Sequence, residues 1–144
     1  MSIITNAKFQ LLKTDALRVK QANAFYKTNH YRGRAKKGEW LAITTIEQKW
    51  VCINRLTAIE DFYFMRNMCV AQEKREQGLG SQHLKFLNDF VTAAIYTFPF
   101  PDLVSWYEKN GFLMIGLEDL PAPLRTYYLS YTRKKLSLGI AVIR

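Results

Sequence analysis

The sequence predicts an α/β (α+β) fold in which a central mixed, twisted sheet is flanked by helices. About half of the 144 residues are hydrophobic, which is enough for one sizeable core. Strand-like and helix-like segments alternate through the second half of the chain, as expected for helices packed on a sheet. Because no repeat, low-complexity tract or linker-like stretch interrupts this order, we interpret residues 1–144 as a single domain.

The first half of the chain is predicted to contain four strands and one helix. Thr14 and Asp15 can cap a helix that continues to about Asn29. Residues 30–38 are polar and basic, which is typical of a loop. Runs of β-branched and aromatic residues predict the strands, two of which flank Glu47-Gln48-Lys49 as a hairpin. The predicted strands cover residues 8–13, 39–46, 50–59 and 61–71.

The second half is predicted to alternate helices with strands. A helix from Ser81 to about Ala94 follows a loop that contains two glycines. Asp102 is predicted to cap a short helix, which Gly111 ends. The remaining predicted elements are strands over 94–98, 112–117 and 138–143, and a helix from Pro121 or Pro123 to about Lys135.

The composition limits the possible partners. The net charge of +9 predicts a surface that attracts anions, such as nucleic acid, an acidic membrane or a polyphosphorylated cofactor. No nucleic-acid-binding module pattern is present, so nucleic acid stays an alternative partner only. No segment reaches the ~18 apolar residues that a membrane span needs, and no signal peptide is recognised. We therefore expect no membrane partner and a cytoplasmic location, with a homodimer left open.

The cysteines and histidines do not predict a metal site. Cys52 and Cys69 lie in apolar strand-like runs, which favours buried, reduced thiols; a disulfide between neighbouring strands is the alternative. Two separated cysteines and two separated histidines form no ligand cluster.

The loop Arg75-x-x-Gly78-x-Gly80 is the most informative motif. A strand that turns through glycines into a helix exposes main-chain N–H groups at the positive end of the helix dipole, which favours a phosphate. Both glycines can take positive φ and allow close approach to the main chain. The loop is neither a P-loop nor a three-glycine dinucleotide motif. It therefore predicts a phosphate-bearing cofactor, and the alternative is a tight turn that binds nothing.

Two motifs in a fixed order resemble the GNAT superfamily of N-acetyltransferases. The first is residues 70–84, where a strand ends in Val70 and is followed by the glycine loop and a helix. The second is residues 103–112, which contains Trp106-Tyr107-Glu-Lys-Asn-Gly111-Phe112. The resemblance is specific over about residues 61–112 and holds only in outline elsewhere. It implies a GNAT-like acyl-CoA N-acyltransferase fold.

The resemblance also implies acetyl-CoA as co-substrate. Main-chain groups at the end of the strand would hold the pantetheine arm as an added strand between two splayed strands. Loop N–H groups would hold the pyrophosphate, and the Arg75 side chain would either contact phosphate or pack the loop. The residues implied in cofactor binding are Met68, Cys69, Val70, Arg75, Glu76, Gln77, Gly78, Leu79, Gly80 and Ser81.

By the same resemblance, Tyr107 is the general acid that protonates the leaving sulfur; the alternative is that it only packs beside Trp106. Some family members carry a glutamate base in the strand before the glycine loop, but Phe64 occupies that position here. The base therefore stays open between water and several side chains. These candidates are Glu60, Asp61, Glu73, His30 and His83.

The function implied is acetyl transfer from acetyl-CoA to a primary amine of a small molecule, protein or peptide. The alternatives are an enzyme that acetylates aminoacyl-tRNA and a non-catalytic acyl-CoA-binding regulatory module. Aromatic and basic residues in the expected acceptor region favour a flat or anionic acceptor over a polyamine. These residues are Tyr26, His30, Tyr31, Arg32, Trp40, Tyr127, Tyr128 and Tyr131.

Overall fold

The structure is a computed structural model that describes residues 6–134 and 137–144. Seven strands occur in these residues: β1 (Ala7–Lys13), β2 (Trp40–Ile46), β3 (Lys49–Ile59), β4 (Phe62–Val70), β5 (Ile95–Thr97), β6 (Leu113–Met114) and β7 (Ala141–Ile143). The helices of the same residues are α1 (Ala16–Thr28), α2 (Leu79–Phe90), α3 (Val104–Lys109) and α4 (Ala122–Arg133). Short 3₁₀ turns cover Gln72–Lys74, Pro101–Leu103 and Leu117–Asp119.

The strands form one mixed sheet in the order β1-β2-β3-β4-β5-β7-β6. Neighbouring strands are antiparallel except β4 and β5, which run parallel and are connected through α2. A parallel pair needs such a crossover because the chain must return to the same end of the sheet. The predicted mixed sheet with flanking helices is therefore confirmed.

Helices cover both faces of the sheet, and alternate residues of β4 contact them. Met65 belongs to the core that includes Leu87 of α2 and Tyr107 of α3. Phe64 points the other way and packs in the core that includes Leu124 of α4. The core beneath α1 lies on the same face of the sheet as α4. The strand residues in this core alternate along their strands with the residues that face α2. We call the two sides the α2/α3 face and the α1/α4 face.

Most of the predicted elements are confirmed within a few residues. The Asp15 side chain accepts a hydrogen bond of 2.8 Å from the Arg18 main-chain N–H and so caps α1. Gly111, at φ +93°, follows the end of α3 as predicted. Cys52 and Cys69 are free and buried. The predicted end of the last helix at Lys135 lies outside the described residues.

Some local predictions differ from the structure. Asp102 does not cap α3, because Pro101 starts a 3₁₀ turn there that leads directly into the helix. The hairpin between β2 and β3 turns on two residues, Glu47 and Gln48, both with positive φ. The strands predicted over 112–117 and 138–143 are much shorter in the structure, because β6 and β7 pair over few residues.

A polar network is buried between α2 and the sheet. His83 has no exposed surface; its Nδ1 lies 2.7 Å from Thr44 Oγ1 and its Nε2 lies 2.6 Å from Asn54 Oδ1. The Asn54 amide nitrogen donates to the Arg55 carbonyl oxygen, which leaves Oδ1 to accept from Nε2–H. The neutral imidazole is thus fully bonded, and burial lowers the pKa of His83 to about 3. This position fits a packing role for His83, which the sequence leaves open as a candidate base.

We expect this histidine to make the fold sensitive to acid. Below pH 6.5 His83 is protonated in the unfolded chain, whereas in the folded chain it stays neutral down to about pH 3. The contribution of neutral His83 to the free energy of unfolding is therefore fully present above pH 6.5, and it is lost as the pH falls from there to about 3. Between pH 6.5 and pH 5 the free energy of unfolding should fall by about 2 kcal/mol. Urea denaturation at several pH values measures this change.

The variant His83→Gln should remove most of this pH dependence, at some cost in stability at neutral pH. The matched control is His30→Gln, because His30 is the second histidine of the chain and is exposed. An unchanged slope of stability against pH in His83→Gln would contradict the assignment.

Two further features of the described residues concern possible partners. None of their helices combines the length and apolar character that crossing a bilayer requires. Within residues 6–134 and 137–144, no three His, Cys, Asp or Glu side chains come together as a metal-binding group.

Candidate functional site

The sheet opens between β4 and β5, and this gap defines the candidate site. The two strands pair only at Tyr63 with Ile95 and at Phe64 with Tyr96. At the point where they separate, the Thr97 hydroxyl donates a hydrogen bond of 3.0 Å to the carbonyl oxygen of Met65. Beyond it lies a cavity of about 310 Å³. The gap exposes main-chain edges of both strands, which is the arrangement that accepts an extended ligand as an added strand.

The walls of the cavity come from both faces of the sheet. Met65, Met68 and Tyr107 belong to or pack on the α2/α3 core. Phe64 and Tyr131 belong to or pack on the α4 core. Side chains of both cores therefore contribute to the lining of the gap. The remaining lining residues are Tyr31, Arg66, Asn67, Thr97, Phe98, Pro99, Phe100, Leu103 and Leu138.

A β-bulge in β4 lies at the wall of the cavity. Opposite the single residue Asn54 of β3, β4 carries two residues, Asn67 and Met68, and Asn67 has φ +56°. The Asn67 carbonyl oxygen accepts a bond of 2.7 Å from the Tyr26 hydroxyl, and its side-chain oxygen accepts one of 2.7 Å from Arg55 Nη1. The bulge thus interrupts regular pairing between β3 and β4 beside the gap.

The Arg55 guanidinium that holds the bulge is itself fixed by a buried ion pair. Its Nε and Nη2 atoms lie 2.8 and 3.1 Å from the two carboxylate oxygens of Glu39. Both residues are less than 10% exposed. The Lys36 main-chain N–H also donates to Glu39. This paired geometry orients Arg55 rigidly behind Asn67.

Tyr107 lies on the wall of the gap and is 7% exposed. Its ring packs edge-on against Trp106 and Phe112, so α3 fixes its position. Burial raises the pKa of Tyr107 well above its usual range, and a hydrogen bond with Thr97 acts in the opposite direction. The phenol is therefore protonated at neutral pH and available as a hydrogen-bond donor inside the gap.

The glycine loop leads into the N-terminus of α2 beside the gap. Gly78 has φ +79° and occupies the N-cap position, and no side chain caps the helix. The first main-chain N–H groups of α2 are therefore left for another acceptor. Met68, which lines the cavity, lies next to Gly80, so the helix terminus and the gap are contiguous. This junction suits a ligand with a phosphate on the helix and a narrow arm in the gap.

Gly80 differs from its prediction, because it lies within the first turn of α2 and does not have positive φ. A Cβ added there would meet Trp106 Cζ2 at 3.1 Å and Met68 Cε at 3.4 Å. The glycine therefore allows α3 and β4 to approach the helix closely. Only Gly78 uses the left-handed conformation that both glycines permit.

The other predicted cofactor residues are arranged around this junction. Arg75 Nε donates a bond of 3.1 Å to the Val70 carbonyl oxygen, so the side chain packs the loop against the end of β4. Cys69 is buried in the α1 core and does not line the gap. Glu76 and Gln77 have exposed side chains, and Glu76 has φ +65°. The start of α2 then includes Leu79, which is buried, and the half-buried Ser81.

None of the predicted side-chain bases lies in the gap. Phe64 occupies the position of the family glutamate and packs against Phe98 and Tyr127. Among the described residues, no carboxylate or imidazole lines the cavity. The base candidates that lie outside this lining are Glu60, Asp61, Glu73, His30 and His83.

Two of the residues predicted for the acceptor region, Tyr31 and Tyr131, line the cavity. Tyr26 is buried behind them and stacks on Tyr31 at 5.4 Å between ring centroids. The sequence does not single out Arg66 or Thr97, which also line the cavity. The only signal for Arg66 was one cation within a strand otherwise rich in apolar residues. The predicted acceptor residues outside the lining are Tyr26, His30, Arg32, Trp40, Tyr127 and Tyr128.

Comparison with known proteins supports the fold assignment. No family model matches the sequence, and no curated protein matches it either. The solved structures include similar folds at low sequence identity. N-acetylglutamate synthase from Neisseria gonorrhoeae, in complex with coenzyme A and N-acetyl-glutamate, has a TM-score of 0.73 and 15% identity, over 95% of this chain. The match covers 35% of that protein, so the chain spans about a third of its length.

Two smaller proteins match over nearly their whole length. The ribosomal-protein-S18-alanine N-acetyltransferase from Escherichia coli has a TM-score of 0.65 and 14% identity, over 94% of this chain and 93% of its own. A GNAT-family acetyltransferase from Staphylococcus aureus has a TM-score of 0.62 and 14% identity, over 94% and 98%. The sheet order, the gap between β4 and β5 and the glycine loop that precedes α2 agree with this likeness. This chain has the fold of the GNAT acetyltransferases.

Proposed function

We propose that the chain is an acetyl-CoA-dependent N-acetyltransferase acting on a primary amine of a small molecule, protein or peptide. The observation that carries this proposal is the gap between β4 and β5, which joins an uncapped helix N-terminus to a cavity containing the Tyr107 phenol. Neighbouring folds bound to coenzyme A support the choice of cofactor. The net charge of +9 would attract such a polyanion.

The residues fit coenzyme A in two places. Main-chain N–H groups from Gly78 to Ser81 would hold its pyrophosphate, and the edge of β4 from Met68 to Val70 would hold its pantetheine arm. When bound, acetyl-CoA supplies an activated acetyl thioester. The bulge at Asn67 and Met68 would direct a main-chain N–H at the thioester oxygen as that oxygen gains charge.

Proton transfer is assigned to Tyr107 and to water. Tyr107 would donate a hydrogen bond to the sulfur that leaves as a thiolate. Because the described lining of the cavity contains no carboxylate or imidazole, water is the group left to take the proton of the amine. The same lack of a side-chain base favours, as a second candidate, a module that binds acyl-CoA without transfer.

Calorimetry with coenzyme A, followed by thiol release with a panel of amines, tests the proposal. We expect binding of both coenzyme A and acetyl-CoA, and thiol release that depends on the amine. Binding without release from any amine would favour the non-catalytic module. A folded protein that binds neither molecule would refute the proposed function.

The variant Gly78→Ala tests the phosphate site. At φ +79° a Cβ costs about 1–2 kcal/mol and displaces the N–H groups of the loop. We expect coenzyme A to bind at least ~10-fold more weakly, since charged hydrogen bonds contribute about 1.5–3 kcal/mol each.

Gly38→Ala is the matched control for this variant. Gly38 has φ +87°, no atom lies within 4 Å of an added Cβ, and it does not line the cavity. Both variants should therefore lose stability, while only Gly78→Ala should lose affinity for coenzyme A. Equal affinities would place the pyrophosphate elsewhere.

A further inference from the structure

Arg66 is an unpaired cation in the wall of the cavity. It lies on β4 directly after Met65, whose carbonyl oxygen marks the point where β4 and β5 separate. Its guanidinium packs against the rings of Phe64 and Tyr127, at 4.9 and 5.4 Å from their centroids, and these two rings also contact each other. These contacts place it on the α1/α4 face of the gap, together with the Tyr131 hydroxyl at 3.4 Å from Nη1.

No carboxylate neutralises this cation. Its two recorded hydrogen bonds go to neutral hydroxyls, from Nη1 to Tyr131 and from Nη2 to Thr57 at 3.0 Å. Arg66 Nε is screened from solvent and has no hydrogen-bond partner among the described residues. Ion pairs within those residues join only Arg55 to Glu39 and Lys85 to Asp89.

The neighbouring strand adds to the positive charge. Arg55 of β3 is the direct cross-strand partner of Arg66. Both carboxylate oxygens of Glu39 already bind Arg55, so Glu39 has no oxygen left uncommitted for Arg66. Like charges on paired positions repel each other. The α1/α4 side of the cavity therefore holds one uncompensated positive charge beside aromatic side chains.

A bound anion would supply what this guanidinium lacks. A partly buried cation is costly without a partner, and a planar guanidinium matches the two oxygens of a carboxylate. Tyr31 and Tyr131 also line the cavity, and the Tyr131 hydroxyl beside Arg66 can add a neutral hydrogen bond. Polyamines and lysine-rich peptides would instead meet a like charge.

We propose that the amine acceptor also carries a carboxylate, which Arg66 binds, so that the substrate is a small amino acid. This inference rests on the proposed function. Arg66 follows the residue at which the strands separate, so a carboxylate bound to it would lie beside the gap, close to the amine of a small acceptor. The cavity of about 310 Å³ suits such a small molecule.

Paired substrates test the inference. Alanine, leucine and phenylalanine are each compared with their own primary amides, which keep the amine and remove the carboxylate charge. In thiol-release assays with acetyl-CoA, we expect at least one acid to exceed its amide by 10-fold or more in kcat/KM. Charge-assisted hydrogen bonds give preferences of about 10- to 100-fold. Amides that react as well as their acids, or better, would overturn the inference.

Variants of Arg66 separate binding of the carboxylate from a structural role. In Arg66→Met the ratio of kcat/KM for the acid to that for its amide should fall to about 1, through a higher KM for the acid. Arg66→Lys should restore part of the preference, because it keeps the charge without the planar fork. The matched control is Arg133→Met, which removes an exposed arginine of α4 outside the cavity. An unchanged preference in Arg66→Met would overturn the inference.

A binding assay distinguishes a failure of this inference from a failure of the proposed function. Coenzyme A affinity, measured first, reports whether the fold and the cofactor site are intact in every variant. If no amine of the panel is acetylated, calorimetry of the coenzyme A complex with each N-acetyl amino acid and its amide replaces the kinetics. Tighter binding of the acids that depends on Arg66 supports the inference, and equal binding overturns it. Failure to bind coenzyme A would refute the proposed function instead.

Discussion

Replacing Tyr107 by phenylalanine should slow acetyl transfer by about 100-fold or more while leaving the affinity for coenzyme A unchanged. The side chain is 7% exposed and lies between α3 and the gap, so the ring alone can keep its place in the core. What the variant removes is a hydroxyl group that points to no charged partner among the described residues. The loss should therefore appear in kcat.

The raised pKa of Tyr107 defines how the hydroxyl acts. A thiol with a pKa of about 8.5 is a stronger acid than this buried phenol. The contribution of Tyr107 is thus a hydrogen bond that stabilises charge growing on sulfur, and the thiolate takes its proton from water once the product leaves. Accordingly, the rate should not decline between pH 7 and pH 9 through ionisation of Tyr107.

Tyr96→Phe is the matched control for this experiment. Tyr96 lies on β5 next to Thr97, but its ring packs against Phe62 and does not line the cavity. Its variant should retain the wild-type rate. If Tyr107→Phe also retained it, the tyrosine would be a packing residue and the assignment of the acid would be wrong.

Glu39→Gln should lower the free energy of unfolding by about 3–5 kcal/mol, the usual result when one partner of a buried ion pair is removed. Glu39 and Arg55 are both less than 10% exposed, so the variant leaves the Arg55 charge buried and unpaired. Arg55 also holds the Asn67 side chain at the bulge. Urea denaturation measures the stability, and thiol release shows whether the loosened bulge also slows transfer.

The second ion pair of the described residues provides a control. Lys85 and Asp89 on α2 lie 3.6 Å apart, and both side chains are more than half exposed. Asp89→Asn should change stability by less than ~1 kcal/mol, because water screens an exposed pair. A similar small effect for Glu39→Gln would show that the buried pair does not orient the bulge.

The order of elements could be predicted from the sequence because it depends on local patterns. Alternating apolar residues mark strands, and the glycine loop marks the turn from β4 into α2. The bulge carries no such signal, since it contains neither glycine nor proline. Its geometry depends on Arg55 and Tyr26, which lie 12 and 41 residues before Asn67 and reach it only in the folded chain.

The sequence predicts the parts of the site that belong to short motifs. It does not predict the parts that form only through tertiary contacts. Tyr107 and Gly78 follow from short motifs. Arg66 looks like an edge cation in the sequence, and only the separation of β4 from β5 shows that it lines a cavity. The same holds for the predicted side-chain bases, since only the folded chain shows that they lie outside the lining of the cavity.

The short pairing of β4 with β5 also has a thermodynamic consequence. Among the described residues, β4 and β5 pair at two positions. This short ladder joins the half of the sheet formed by β1 to β4 to the half formed by β5, β7 and β6. An extended molecule lodged between them would act as a missing strand and cross-link the halves. Occupancy and resistance to unfolding would then rise together. The concentration of that molecule would therefore set how much free energy is needed to unfold the protein.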